Sequence, residues 1–263
     1  MKKLNLRNVS LAFLTIALIG LQSCSEDGMS GDGETITPTE LKTILTTDDF
    51  AGAADTALAE IFVGNSDESV TVGKESECYS TEFTETGFVA TFNNCVLNGT
   101  DNINGTVTAT YEVGEEMTSF TATYQEFYVG KIKVNGTRTF EVTTTTEESA
   151  VLFTIISDMS VEMEDGSLIS ENGTKTFTLS FGDSLERTTI SIAGSWNVEA
   201  DGNVYAVETL EDLQGSVACE YMTSGTMVVS KNGLAVTVDF GNGECDNMVT
   251  IIYPNGAKEE IAL

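Results

Sequence analysis

From about Val70 onward the chain alternates apolar and polar residues one by one, and this period of two restricts its fold more than any other feature. Successive side chains of a strand point to opposite faces, so such alternation builds a sheet with one apolar and one polar face. Val107, Ala109, Tyr111 and Val113 alternate with Thr106, Thr108, Thr110 and Glu112. Phe140 and Val142 are interleaved with Thr139, Glu141 and Thr143, and Phe177, Leu179 and Phe181 with Thr176, Thr178 and Ser180. Leu234, Val236, Val238 and Phe240 repeat the pattern with Ala235, Thr237 and Asp239 between them. Strands buried on one side only read this way, and antiparallel sheets are where they occur.

The punctuation between these runs agrees. Asn-Gly or Asp-Gly begins at Asn98, Asn104, Asn135, Asp165, Asn172, Asp201, Asn232 and Asn255. Such dipeptides tolerate the positive φ of type I′ turns, so each one predicts a hairpin. Lys131–Phe140 and Met227–Val236 read as two of the clearest. Asn-Gly-Thr recurs at 98, 104, 135 and 172, and Ser-Gly-Thr at 224. Its uneven spacing argues against a solenoid, and a turn followed by a strand-favouring threonine accounts for it. The expected fold class is all-β: an antiparallel meander forming a sandwich or a curled, open barrel.

A helical segment should precede the sheet. Thr37-Pro38-Thr39-Glu40 is a capping box with proline in the first turn, which predicts a short helix to about Leu45. Asp48 can cap a second one. In it Phe50, Ala53, Ala54, Ala57, Leu58, Ile61 and Phe62 recur near helical spacing, and Gly64 ends it. An apolar stripe of this kind packs on a sheet. The organisation expected is therefore helical over 37–64 and antiparallel β over 65–263.

The N-terminus supplies an address. Lys2, Lys3 and Arg7 precede the uncharged run Leu11–Leu21, which is too short to span a membrane and right for a secretory leader. Gly20, Gln22 and Ser23 then lead to Cys24. The run resembles a bacterial lipobox: Leu21 and Ser23 fit the family pattern, and Gln22 departs from its usual small residue. The resemblance implies cleavage after residue 23, acyl chains (palmitate among them) on Cys24, and a flexible tether over 24–36. Two or more chains anchor a protein stably. Ser25, followed by Glu26 and Asp27, resembles the export tag of Bacteroidetes surface lipoproteins; the resemblance implies an outer-membrane location, with exposure at the cell surface as its further implication. The tail carries a second likeness. Phe240, Gly241, Gly243, Cys245, Asp246 and Asn247 form a turn similar to that near the C-terminus of uncharacterised Bacteroidetes lipoproteins, a group to which no activity attaches. The partner this implies is the membrane, through the anchor, with a protein or glycan partner left open.

Charge excludes some partners. Of 12 basic residues three lie in the leader, so the chain from Cys24 on holds nine against 41 acidic ones, net −32. Such a balance repels nucleic acid and anionic surfaces. Histidine is absent, which removes Ser-His-Asp and Cys-His catalysis and His-ligated zinc. No cofactor is implied. After Cys24 come Cys78, Cys95, Cys219 and Cys245. An even count in an exported chain reads as disulfides with three possible connectivities. Cys78–Cys95 and Cys219–Cys245 are expected because each pair flanks a local hairpin.

Candidate sites each have a plainer explanation beside them. Glu162, Glu164 and Asp165 form the densest acidic cluster, and Glu162 and Glu164 share a strand face. A glycosidase needs two carboxyls about 5–9 Å apart in a cleft, but in a chain with 41 acids such pairs arise by chance. Asn242, Glu244, Asp246 and Asn247 offer oxygen ligands for calcium without EF-hand spacing, and a tight turn pinned by Cys245 explains them better. Trp196, the one tryptophan, shares strand parity with Ile190, Ile192 and Val198 and should fill the core. Tyr124, Phe127 and Tyr128 are the candidates for an aromatic sugar platform. Asp55-Thr56-Ala57 and Asp183-Ser184-Leu185 resemble O-glycosylation sites of Bacteroidetes secreted proteins, with Thr56 and Ser184 as the acceptors.

These features point to a lipid-anchored envelope protein with a non-catalytic binding or structural role. The alternatives are an extracellular glycan-acting enzyme using a carboxylate pair, and an apolar-ligand carrier. A filled core without a cleft favours the first, a cleft with two buried acids the second, an empty closed barrel the third.

Overall fold

The computed structural model describes residues 35–64, 78–96, 102–113, 118–144, 150–183, 187–216, 218–219 and 221–263. One helix, α1 (Pro38–Gly64), precedes 13 strands. These are β1 (Tyr79–Thr84), β2 (Gly87–Cys95), β3 (Ile103–Val113), β4 (Thr118–Val129), β5 (Ile132–Thr144), β6 (Ala150–Glu162), β7 (Leu168–Ser180), β8 (Thr189–Ala200), β9 (Asn203–Ser216), β10 (Ser224–Lys231), β11 (Leu234–Asn242), β12 (Met248–Ile252) and β13 (Lys258–Ala262). Each strand pairs antiparallel with the next, so the sheet order is the chain order from β1 to β13. The meander is a single open sheet, not a sandwich, with β1 and β13 as its edges. β13 is protected by charge, with Lys258, Glu259 and Glu260 all exposed.

The predicted pair of helices is one. Nothing in Thr46-Thr47-Asp48 forces the chain out of helical φ and ψ, and the Thr47 hydroxyl donates to the Thr43 carbonyl at 2.9 Å within the helix. The capping box forms as expected: Glu40 N–H donates to Thr37 Oγ1 at 3.2 Å, and Thr37 N–H to Glu40 Oε2 at 2.8 Å.

Thirteen strands at about 4.8 Å would span roughly 60 Å if flat, against about 40 Å for a 27-residue helix. Yet both halves of the sheet pack on α1. Ala54, Ala57, Leu58 and Ile61 join a core with Tyr79, Phe88, Val107, Tyr124 and Phe127. Ile36, Leu41 and Ile44 join another with Trp196, Tyr205, Met227, Val238 and Ile251. The sheet therefore curls round the helix, and α1 fills its concave face.

Kinks inside the long strands produce this curl, and here the turn expectations need correction. Asp165-Gly166, Asp201-Gly202, Asn232-Gly233 and Asn255-Gly256 do stand at hairpin turns. Asn104, Asn135 and Asn172 instead lie within β3, β5 and β7, so the expected hairpin over Lys131–Phe140 is a single strand from Ile132 on, and the turn falls before it at Gly130 and Lys131. Asn98 lies outside the described residues. The cause is local. Glu126 is an extra residue in β4, at φ 46°, and the register with β5 slips between Tyr124 and Phe127. Its N–H, which the slip leaves off the ladder, donates to Asn135 Oδ1 at 3.0 Å. Asn94, at φ 58° in β2, donates likewise to Asn104 Oδ1 at 2.8 Å. Gly136, at φ 122°, lets β5 approach β6 so closely that a Cβ would overlap the Asp158 carbonyl. Among the described residues, Asn-Gly thus marks a β-bulge at Asn104 and Asn135 and a turn at Asn232 and Asn255.

Candidate functional site

Two groups of ionisable residues lie between α1 and the sheet. The larger begins with Asp55 on α1, in an ion pair with Arg138 of β5 and accepting from the Tyr124 hydroxyl of β4 at 2.9 Å. Arg138 reaches on to Glu171 of β7 at 3.3 Å, and Glu171 pairs with Lys175 at 3.1 Å. Lys175 Nζ sits 4.4 Å from the centroid of the Trp196 ring. Arg138 and Glu171 are 5% and 1% exposed, deep enough that neither charge could stand alone. Gly173 makes room here: a Cβ on it would meet Trp196 Cα and Cβ, so the glycine lets the indole lie across β7. Trp196 Nε1 and Ser157 Oγ are buried in this region without a protein hydrogen-bond partner.

The smaller group lies near the start of α1. Glu40 accepts from the Tyr205 hydroxyl at 2.6 Å and pairs with Lys231 at 2.8 Å. Lys231 is 2% exposed, with its ammonium 5.7 Å from the Tyr205 ring centroid. Each half of the helix is thus tied to the sheet by one acid.

Burial pushes the Glu40 carboxyl up, but hydrogen bonds from Lys231, Tyr205 and Thr37 outweigh it and hold the group at about 2. At Asp55 burial prevails and raises the carboxyl against the pull of Arg138 and Tyr124. The Tyr124 hydroxyl is pushed far up by burial and by the neighbouring Asp55 charge. This chemistry is of mutual neutralisation. Acids and cations in the interior face one another rather than a cleft, and no group of three metal-binding side chains occurs among the described residues.

The residues singled out in the sequence lie elsewhere. Glu162, Glu164 and Asp165 are exposed on β6 and its turn, where Glu164 pairs with Lys131 at 3.0 Å and Asp165 accepts from Ser167. Asn242, Glu244, Asp246 and Asn247 are also exposed. Their side chains serve the turn: Asn242 Oδ1 takes the Glu244 N–H and Asp246 Oδ1 the Met248 N–H. Tyr124 and Phe127 form no platform, because the bulge at Glu126 turns both inward, to 1% and 0% exposure. Trp196 fills the core as expected. Cys78 pairs with Cys95 and Cys219 with Cys245, at Cα separations of 5.2 and 5.8 Å. Cys24 and Ser184 lie outside the described residues, and Thr56 stands within α1 with its side chain outside them.

Strand parity carries the signal for the buried charges. Arg138 shares parity with Phe140 and Val142, Glu171 and Lys175 with Phe177 and Leu179, and Lys231 with Met227 and Val229. A charge at an inward position of an alternating strand must find a partner inside. Two open recesses also border the helix and the second disulfide. One of about 230 Å³ is lined by Thr39, Lys42, Thr43 and Met163, another of about 350 Å³ by Gln214, Ser216, Thr223 and Cys219. No protein-family model, curated protein or solved structure matches this chain.

Proposed function

We propose that this is a lipid-anchored protein of the bacterial cell envelope, held at the outer membrane by acyl chains on Cys24, with a non-catalytic binding or structural role. The anchoring rests on the leader and the lipobox-like Leu21-Gln22-Ser23-Cys24, and the likeness to Bacteroidetes surface lipoproteins on the acidic residues after it and on the Phe240–Asn247 tail. The observation that carries the non-catalytic role is the filled interior. Helix α1 occupies the concave face, and Asp55, Glu171 and Glu40 are each paired with a cation there. An enzyme working through Glu162 and Glu164 lacks the enclosed pair of acids such chemistry requires, since both are exposed to water.

Intact-mass analysis of protein extracted from the host membrane tests the anchoring. The mass expected is that of residues 24–263 plus acyl chains, and Cys24→Ser should leave the precursor unprocessed. A secreted chain with its leader clipped elsewhere and no acyl mass overturns it. Hydrolysis of an envelope or extracellular glycan, lost in Glu162→Gln/Glu164→Gln, overturns the non-catalytic role.

A further inference from the structure

One cross-strand row on the inner face of the sheet holds two polar atoms that the protein itself does not satisfy. Arg138 of β5, Ser157 of β6, Gly173 of β7 and Trp196 of β8 are successive partners in register. Opposed positions share a face. Arg138 pairs with Asp55 of α1 and Trp196 packs in the core with Leu41 and Ile44, so this row lies beneath the helix. Ser157 is 4% exposed and Trp196 3%, yet Ser157 Oγ and Trp196 Nε1 have no hydrogen-bond partner in the protein. Buried polar groups in native folds are nearly always satisfied, so this pair calls for a ligand.

The two side chains approach each other across a gap. Gly173 puts no side chain between them, and Trp196 Cβ leans over it so closely that a methyl there would overlap. Lys175, two residues on in β7, holds its ammonium 4.4 Å from the indole centroid. Both contacts place the ring over β7, on the Ser157 side of its own strand. Two strand spacings put the Ser157 and Trp196 backbones roughly 10 Å apart. One oxygen hydrogen-bonded on both sides spans about 6 Å of that, and the side chains cover the rest.

The surroundings select the occupant. The indole is a donor only, so whatever it meets must accept from it, which excludes a metal cation. Asp55 and Glu171 face Arg138 and Lys175, so with both acids ionised the chamber is neutral and an anion would add an uncompensated buried charge. Neither of the two open recesses is lined by Ser157 or Trp196, so neither admits an organic molecule to them. Water is neutral, small, and both acceptor and donor.

We propose that one buried water molecule occupies this gap as a fixed part of the fold. It accepts from the Trp196 indole N–H and donates to Ser157 Oγ. Internal waters take two to four such bonds to groups the chain leaves unmet. The bridge ties β8 to β6 over a position of β7 where no side chain intervenes.

A crystal structure of the chain from Cys24 on, at a resolution that shows ordered water, tests this. Density for one oxygen within about 3.2 Å of both atoms is expected. In solution the indole N–H should show an NOE and an ROE to water of opposite sign, as a long-lived bound molecule gives. Trp196 is the sole tryptophan, so that resonance is assigned without ambiguity. Ser157→Val removes the acceptor and should abolish both cross peaks and move the indole proton upfield, at unchanged circular dichroism. Should Ser157→Val fail to fold, the wild-type density and cross peaks decide. An empty gap overturns the site, as does an indole that donates directly to a protein oxygen, or cross peaks indifferent to Ser157→Val in folded protein. An anomalous peak in the gap of crystals grown in bromide assigns the two donors to an anion and also overturns it. The site uses neither the lipid anchor nor the non-catalytic role, so its failure leaves both readings where they stand.

Discussion

Asp55 on α1 and Arg138 on β5 are 83 residues apart in sequence and in direct contact as an ion pair in the interior. Removing one member of such a pair strands the other charge, while replacing both by apolar groups removes the desolvation cost together with the attraction. Arg138→Met should therefore cost about 3–5 kcal/mol. Arg138→Met/Asp55→Leu should cost less than Arg138→Met alone, since no charge is then left unpaired: Glu171 keeps Lys175, and the loss that remains is the acceptor of the Tyr124 hydroxyl. Urea unfolding of the wild type, both singles and the double gives the coupling energy directly. Additive losses would show that the pair does not fix the helix.

Glu40 makes the stability depend on acid. Its carboxyl titrates at about 2 in the folded protein against an ordinary value of 4.5. A folded value below the unfolded one means stabilisation that is complete above about pH 4.5 and is lost as pH falls toward 2. The shift corresponds to at most about 3 kcal/mol. Asp55 acts in the opposite sense, because burial raises its carboxyl and protonation then favours the folded state. The difference between wild type and Lys231→Met isolates Glu40. That difference should shrink between pH 4.5 and 2, as followed by thermal unfolding. A difference constant over this range would contradict the Lys231 contact.

Glycine matters at bends, not everywhere. Gly136→Ala would drive a methyl into the Asp158 carbonyl at φ 122°, and Gly173→Ala one into the backbone of Trp196. Each should lose at least about 2–3 kcal/mol, because neighbouring backbone cannot give way as a side chain can. Gly52, inside α1, has nothing within 4 Å of where a Cβ would stand. Gly52→Ala should instead gain about 0.5–1 kcal/mol from helix propensity. Thermal melts of the three variants should move in these opposite directions.

The strands were legible because burial on one side writes a period of two into the sequence. Val236, Val238 and Phe240 are buried where alternation puts them, and Trp196 likewise. The curvature was not legible. Asn-Gly serves a type I′ turn at Asn232 and a bulge partner at Asn135, and which it does depends on whether the next strand carries an extra residue such as Glu126. That is a relation between segments, invisible to a pattern read along one of them. The same holds for the interior charges: Arg138 looks like one more polar residue until its parity with Phe140 is compared with Asp55, far away in the helix. The exposed acids Glu162 and Glu164 drew notice through density, which is a property of surfaces, whereas Glu171 is buried at 1% with no acid beside it in sequence.

The disulfides close loops of 17 and 26 residues at separate places in the meander. Cys78–Cys95 ties the start of β1 to the end of β2, with Cys95 fully buried in the core beside the second half of α1. Cys219–Cys245 joins the connection after β9 to the one after β11. Loop-closure entropy assigns about 3 kcal/mol to each, slightly more to the longer loop. Because the two share no contacts, the losses in Cys78→Ser/Cys95→Ser and Cys219→Ser/Cys245→Ser should add within about 0.5 kcal/mol in the fourfold variant. Denaturant unfolding of the three variants tests the additivity, and non-reducing peptide mapping tests the pairing. A peptide linking Cys78 to Cys219 would place the start of β1 against the connection between β9 and β10, and the pairing described here would not survive it.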